Sequence, residues 1–194
     1  MSAVGTTIEF KPRGSFTPGP DIIGGGPIDL APGRWADDTS IAFWTLDQII
    51  ADTGYVPAHV AERFATGRIF GMGATVREFR DRMTRQGLAW DEAGVTSAGN
   101  GALMRIAPML IPHLSAPSSR LWADAALATM TTHNDVAAIS SSVAFVALLW
   151  DLLAMARPPD PPWWLDRFVE VADALEPADS RYRPRGGAFA HFDG

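Results

Sequence analysis

The sequence has no cysteine, and that single absence removes disulfides, thiolate metal sites and a cysteine nucleophile together. It also fits a cytoplasmic protein. Charge is scarce: only 20% of residues are charged, the formal net charge is −6 and the isoelectric point lies near 5.1. An acidic balance with no obvious basic face argues against nucleic acid as a partner. Met1–Phe10 shows no basic region followed by an apolar core and a cleavage site, so it does not read as a secretory signal. Period-two alternation of any length, internal repeats and heptads are missing too, which leaves no signal for a sheet, a solenoid or a coiled coil. What remains is a chain of 194 residues, 47% hydrophobic, long enough to bury a core in one domain. The expected fold class is all-α.

The stretch around which the chain is organised is Trp35-Ala36-Asp37-Asp38-Thr39-Ser40. Adjacent carboxylates ahead of the apolar run Ile41–Leu46 put acid groups at a helix start, where partial positive charge and free N–H donors favour them. Two readings follow. Asp37 can be the N-cap with Asp38 in the first turn, or the oxygen-rich cluster can hold a hard cation such as Mg²⁺, Mn²⁺ or Ca²⁺. The helix is apolar over nearly its whole circumference, which predicts a central, buried element ended by Gly54, with Phe43 and Trp44 structural.

Ahead of that stretch, residues 11–33 are rich in glycine and proline, and Ile22, Ile23, Ile28 and Leu30 give the loop anchors for packing. After it, Pro57 opens a second helix that Gly67 closes. The loop Arg68–Gly73 leads to a more polar third helix whose Arg77, Arg80, Arg82 and Arg85 read as a solvated face. Gly99-Asn100-Gly101 precedes an apolar helix, a geometry that can receive a phosphate or ribose oxygen; Pro108 and Pro112 break that helix into short pieces. Thr132-His133-Asn134-Asp135 brings a histidine beside a helix cap, from Asn134 or Asp135. The run from Ala137 to Met155 is long and apolar enough to raise the membrane question, but its serines, small residues and Asp151 predict a core helix, with no membrane as partner. A proline-rich link and one more amphipathic helix, with Trp163, Trp164, Leu165, Phe168, Val169 and Ala172 apolar, precede the tail.

Taken in order, these stretches resemble the ADP-ribosylglycohydrolase family, the group that includes dinitrogenase reductase-activating glycohydrolases. Ala3, Gly5, Glu9 and Phe10 match its opening Gly-Asp-Ala-x-Gly-x-x-x-Glu-Phe; Asp37, Asp38, Thr39 and Ser40 match its Thr-Asp-Asp-Thr motif. Gly99, Asn100, Gly101, Met104, Arg105 and Pro108 match its Gly-Asn-Gly-x-x-Met-Arg-x-x-Pro in full, and Thr132-His133 the Thr-His beyond it. Phe70-Gly71-Met72-Gly73 with Thr75 is similar to its glycine loop.

The resemblance implies one compact, orthogonal multi-helix domain over 1–194, and a hydrolase that cleaves ADP-ribose from arginine, serine or a related acceptor with two ions, Mg²⁺ or Mn²⁺. Its partner would be an ADP-ribosylated protein or a small ADP-ribosyl compound. It makes Asp37 and Asp38 metal ligands and catalytic groups, Glu9 a gate or acid/base group, Gly99, Asn100, Gly101 and His133 substrate contacts, and Phe70 and Gly71 pocket lining. Three departures stand out: Ala36 replaces a Thr or Ser, Ser2 replaces the opening Asp, and the family's C-terminal Asp-x-Asp-Thr does not occur downstream. The chain therefore reads as an incomplete family member lacking its N-terminal helix and C-terminal metal-motif helices. It is expected to be either a hydrolase whose active form is longer or completed by another chain, or a non-catalytic member that only binds ADP-ribose-type ligands.

Overall fold

The computed structural model describes residues 5, 7–8, 11–12, 14–16, 23–116 and 118–176. The helices are α1 (Asp37–Ala51), α2 (Pro57–Thr66), α3 (Ala74–Thr84), two 3-10 segments at Leu103–Arg105 and Ala107–His113, α4 (Arg120–Met130), α5 (Val136–Leu153) and α6 (Pro161–Leu175). Among the described residues there is no strand, only isolated bridges between Gly25 and Leu30 and between Val95 and His133. The fold is all-α, as the lack of alternation implied. Its core gathers Ile41, Val60, Phe64, Phe79, Ile106, Met109, Leu121 and Val146.

Helix α1 differs from expectation at both ends and around its circumference. Ala36, not Asp37, is the N-cap, in extended conformation and with no side-chain acceptor; Asp37 and Asp38 both lie in the first turn. They favour the helix through its dipole, and their carboxylates are left for other work. At the other end Thr53, not Gly54, takes the left-handed position, with φ at 47–55° shared only by Asp29 among described non-glycine residues. Gly54 N–H donates to Ile49 O and Thr53 N–H to Ile50 O, a Schellman closure built on threonine.

The helix is also not buried all round. Ile41, Thr45 and Ile49, four residues apart, face the core, whereas Phe43 is 55% and Ile50 65% exposed. Alpha-helical neighbours cover one side only, α2 and the 3-10 segments, and a pattern of apolar residues cannot report how many neighbours a helix will have. Phe43 packs instead on Trp35, ring centroids 6.4 Å apart. Trp44 is partly buried against the core and lies over Gly67, where any Cβ would collide with its ring.

The other helices follow local chemistry. Pro57 starts α2 and Gly67 caps it; Asp135 caps α5, accepting from Ala137 N–H at 2.9 Å. Two arginines of α3 are ties and not a solvated face: Arg80 donates to Ala65 O at the end of α2, and Arg82 to Gly94 O. The 18-residue α5 passes a length-and-composition test for a membrane span, but it packs between α4 and α6 and buries Ala138, Ser140, Ser142, Ala144 and Ala147. In α6 only Ala172 is buried; Leu165 and Val169 are exposed, and Arg167 binds Asp151 of α5 at 2.7 Å. In the early loop Leu30 alone is a buried anchor, Ile23 and Ile28 being exposed, while Ile22 lies outside the described residues.

Replacing the fully buried Ile41 with Ala is expected to cost about 2–5 kcal/mol, whereas Phe43→Ala should cost under about 1 kcal/mol. Thr53→Gly should stabilise by about 0.5–1 kcal/mol by relieving the left-handed backbone. Denaturant midpoints of the three variants measure all three effects.

Candidate active site

The carboxylates of Asp37 and Asp38 are brought under the loop that precedes α3. Gly71 there has φ +75°, and a Cβ on it would lie 3.0 Å from Ile28 Cδ1, 3.5 Å from Ala36 Cβ and 3.7 Å from Asp37 Oδ1. Only glycine lets the backbone take that turn and come so close. Burial pushes the Asp37 carboxyl above the usual range and the charge of Asp38 adds to this, while backbone N–H groups, among them those of Asp38 and Gly73, pull the other way. Asp38 Oδ1 is buried and has no hydrogen-bond partner. A buried, unpartnered carboxylate oxygen is costly unless something else approaches it. Beside the loop, Phe70 lies between two guanidiniums, 5.9 Å from Arg34 and 4.7 Å from Arg68.

The second cluster is built on Arg105, Thr132 and His133. Arg105 is 1% exposed, and burial lowers its pKa to about 10. Its Nη2 donates to Ala128 O at 2.8 Å and to Thr132 Oγ1 at 2.7 Å, and its guanidinium lies 4.9 Å from the Phe64 ring. Thr132 Oγ1 is in turn 2.9 Å from His133 Nδ1. His133 is buried, and burial, helped by the Arg105 charge, lowers its pKa from 6.5 to about 4. The glycine turn packs on this ring. A Cβ at Gly101 would lie 3.0 Å from its Cε1 and Nε2, and one at Gly99 3.6 Å from Nε2.

A hydroxyl pair joins the two clusters. Thr75 Oγ1, in the first turn of α3 just after the Gly71–Gly73 loop, is 3.0 Å from Ser97 Oγ, to which Gly99 N–H also donates at 3.4 Å. The structure thus brings Asp37, Asp38, Gly71 and the neighbouring Phe70 to one loop, gathers Gly99, Gly101 and His133 around one ring, and links the two. Asn100 is exposed, its carbonyl accepting from Leu103 N–H to close the turn. Glu9 lies outside the described residues. The reading from sequence gave no site role to Thr132, Thr75, Ser97 or Gly73. Thr132 and Thr75 do stand inside or beside the matched motifs, which was a usable signal; the pairing of Thr75 with Ser97, 22 residues on, was not.

Hard oxygen donors and the orphaned Asp38 Oδ1 fit a divalent cation of the Mg²⁺ or Mn²⁺ kind as two of its ligands. Among the described residues no group of three or more His, Cys, Asp or Glu side chains could enclose one. A separate cleft of about 410 Å³ lies at the far end of α1, lined by Asp52, Tyr55, His113, Arg120 and Asp124 among others. Fifteen residues of helix separate it by about 22 Å from the Asp pair, so it is not part of this site.

An all-α domain with an acidic pair at a helix start, a glycine loop over it and a glycine turn over a buried histidine has counterparts among known proteins. Residues 2–190 match the family model described as ADP-ribosylglycohydrolase, and the chain belongs to that family. It is 32% identical over 158 residues to the ADP-ribosylarginine hydrolase Tri1 of Pseudomonas putida (strain GB-1), covering 76% of this chain and 42% of that protein. It is 32% identical over 124 residues to the ADP-ribosyl-[dinitrogen reductase] glycohydrolase of Rhodospirillum rubrum, covering 60% of this chain and 42% of that one. A solved structure titled ADP-ribosylglycohydrolase-related protein complex superposes with a TM-score of 0.68 at 31% identity, over 80% of this chain and 53% of that one. The chain spans about two fifths of the length of these curated relatives.

The depressed His133 pKa sets a pH dependence. The unfolded chain takes up the proton near 6.5 and the folded chain only near 4, so His133 contributes stability that is fully present above pH 6.5 and lost as pH falls toward 4. The loss should approach about 3 kcal/mol. Asp37, with its raised pKa, acts in the opposite sense over the carboxylate range. Urea unfolding at pH 7 and pH 5 should show a drop for the native chain that is much smaller in His133→Gln.

Proposed function

We propose that this chain carries the ADP-ribose-binding part and the first metal-ligand pair of a hydrolase that cleaves ADP-ribose from an arginine side chain. The observation that carries the reading is the buried, unpartnered Asp38 Oδ1 beside Asp37, near a loop that leads into α3, whose Thr75 pairs with Ser97, the acceptor of Gly99 N–H in the turn over His133. Arginine is favoured over serine as the acceptor because the Tri1 relatives are named ADP-ribosylarginine hydrolases.

Asp37 and Asp38 would hold the cation from the first turn of α1. When bound, Mg²⁺ or Mn²⁺ supplies Lewis acidity that favours deprotonation of a water near neutral pH. The chain's own residues do the rest. The two carboxylates would offset the charge of the bound cation, so that the site does not repel the positive charge that grows on the sugar in an oxocarbenium-like transition state. The Gly99–Gly101 turn lets a ligand approach the backbone closely, with the exposed Asn100 amide as an added contact. His133, kept neutral at pH 7, supplies a hydrogen bond without adding charge. Phe70 and Gly71 line the mouth.

A second reading, a chain that binds ADP-ribose without cleaving it, is favoured by one observation: the described residues gather no third carboxylate or histidine around the Asp pair. Calorimetry and turnover separate the two. ADP-ribose affinity is expected to fall about tenfold in Asn100→Ala and His133→Ala; unchanged affinity in both would remove the ligand assignment. Mn²⁺-dependent release of ADP-ribose from modified arginine, lost in Asp38→Asn, supports the hydrolase. Binding with no release supports the second reading.

A further inference from the structure

We propose that Arg105 and Thr132 are positioning residues that lock His133 into one neutral tautomer, Nδ1 bare and Nε2 protonated, so that the ring is a fixed hydrogen-bond donor to an acceptor oxygen of the ligand and not a proton shuttle. The inference deepens the reading above and rests on it only in naming a ligand beside the Gly99–Gly101 turn.

A proton count along the chain of contacts carries it. Arg105 Nη2 can only donate, and at 2.7 Å it makes Thr132 Oγ1 an acceptor. The threonine hydroxyl has one proton to give, and His133 Nδ1, 2.9 Å away, is its one hydrogen-bond acceptor among the described residues. Were Nδ1 protonated instead, Thr132 Oγ1 would face two donors, and its own proton would be stranded in a residue with no solvent exposure. A buried donor left unmade is the costly outcome. Nδ1 is therefore the acceptor, and the ring's proton sits on Nε2.

The rest of the surroundings hold that arrangement. Arg105 cannot swing away: a second hydrogen bond ties Nη2 to Ala128 O, and Phe64 covers the guanidinium. No carboxylate forms an ion pair with it among the described residues, so its positive charge bears on His133 and opposes a second ring proton. Nε2 has no hydrogen-bond partner among the described residues, yet it is not one of the fully occluded polar atoms. The Nε2 edge is thus where the ring opens outward, at the glycine turn. Gly101 has ordinary backbone geometry, so what it provides is space: a methyl there would press on Cε1 and Nε2 at 3.0 Å.

Nitrogen NMR of the histidine ring in the full 194-residue chain, ligand-free at pH 7, reads the tautomer directly, with the signal of His133 identified by its loss in His133→Gln. The expected signature is a bare Nδ1 and a protonated Nε2, retained in Thr132→Ser and relaxed to a mixture in Thr132→Val. An Nδ1–H ring, an imidazolium, or a signature unchanged in Thr132→Val overturns the proposal. If Thr132→Val does not fold, the native tautomer together with Thr132→Ser still decides it. In parallel, ADP-ribose affinity should drop about five- to tenfold in Thr132→Val and stay within about twofold in Thr132→Ser. Gly101→Ala should weaken ADP-ribose binding and leave the tautomer untouched. A chain with the expected tautomer that fails to bind ADP-ribose keeps this assignment and overturns the ligand reading alone.

Discussion

A guanidinium sealed in the core with no carboxylate partner among the described residues is the constraint that the interior answers to. Arg105 brings a full positive charge into a region of low polarity, and the fold compensates with dipoles and a ring face: the Ala128 carbonyl, the Thr132 hydroxyl and Phe64. Hydrogen bonds at Nη2 replace part of the lost water, while Nε is buried without a hydrogen bond, so the desolvation is only partly offset. Those partners come from α2, from α4 and from the turn before α5, so one side chain ties three elements to the 3-10 segment that carries it. It also places a charge beside His133, which adds to the larger effect of burial in keeping that histidine neutral.

The acidic pair solves a different problem in the same molecule. There the charges are negative and partly open, at the start of α1, and among the described residues the surroundings answer with helix dipole and backbone N–H groups and with no ion pair. Asp38 Oδ1 is left over from that accounting. The positive centre at Arg105 and the acidic centre at Asp37 and Asp38 are connected through a loop, a hydroxyl pair and a glycine turn, and neither forms an ion pair among the described residues.

Much of this was legible in the chain because glycine, proline and acid positions act locally. Pro57 and Gly67 bounded α2, Pro108 and Pro112 kept the following segments short, and Asp135 was among the two residues able to cap α5. The glycines of the motifs follow the same logic: Gly71 and Gly101 stand where backbone or ring comes close. What could not be read depended on partners distant in sequence. Phe43 is outward because α2 and the 3-10 segments take only one side of α1, Arg80 and Arg82 are ties because Ala65 O and Gly94 O stand opposite them, and Thr132 matters because Arg105 reaches it across 27 residues. Thr53 was missed because a glycine next to it offered the more ordinary solution.

The short bridge between Val95 and His133 has a consequence for recognition. Val95 N–H donates to Thr132 O, Asn134 N–H to Val95 O, and His133 N–H to Thr129 O, so the main chain is held on both sides of the imidazole. With the backbone tethered there and the ring fixed by Thr132, the loss of freedom needed to present Nε2 is incurred when the chain folds. Under the role proposed for His133, an incoming ligand would meet a preorganised donor, and the free energy of that contact would go into affinity and orientation instead of being consumed in ordering the protein.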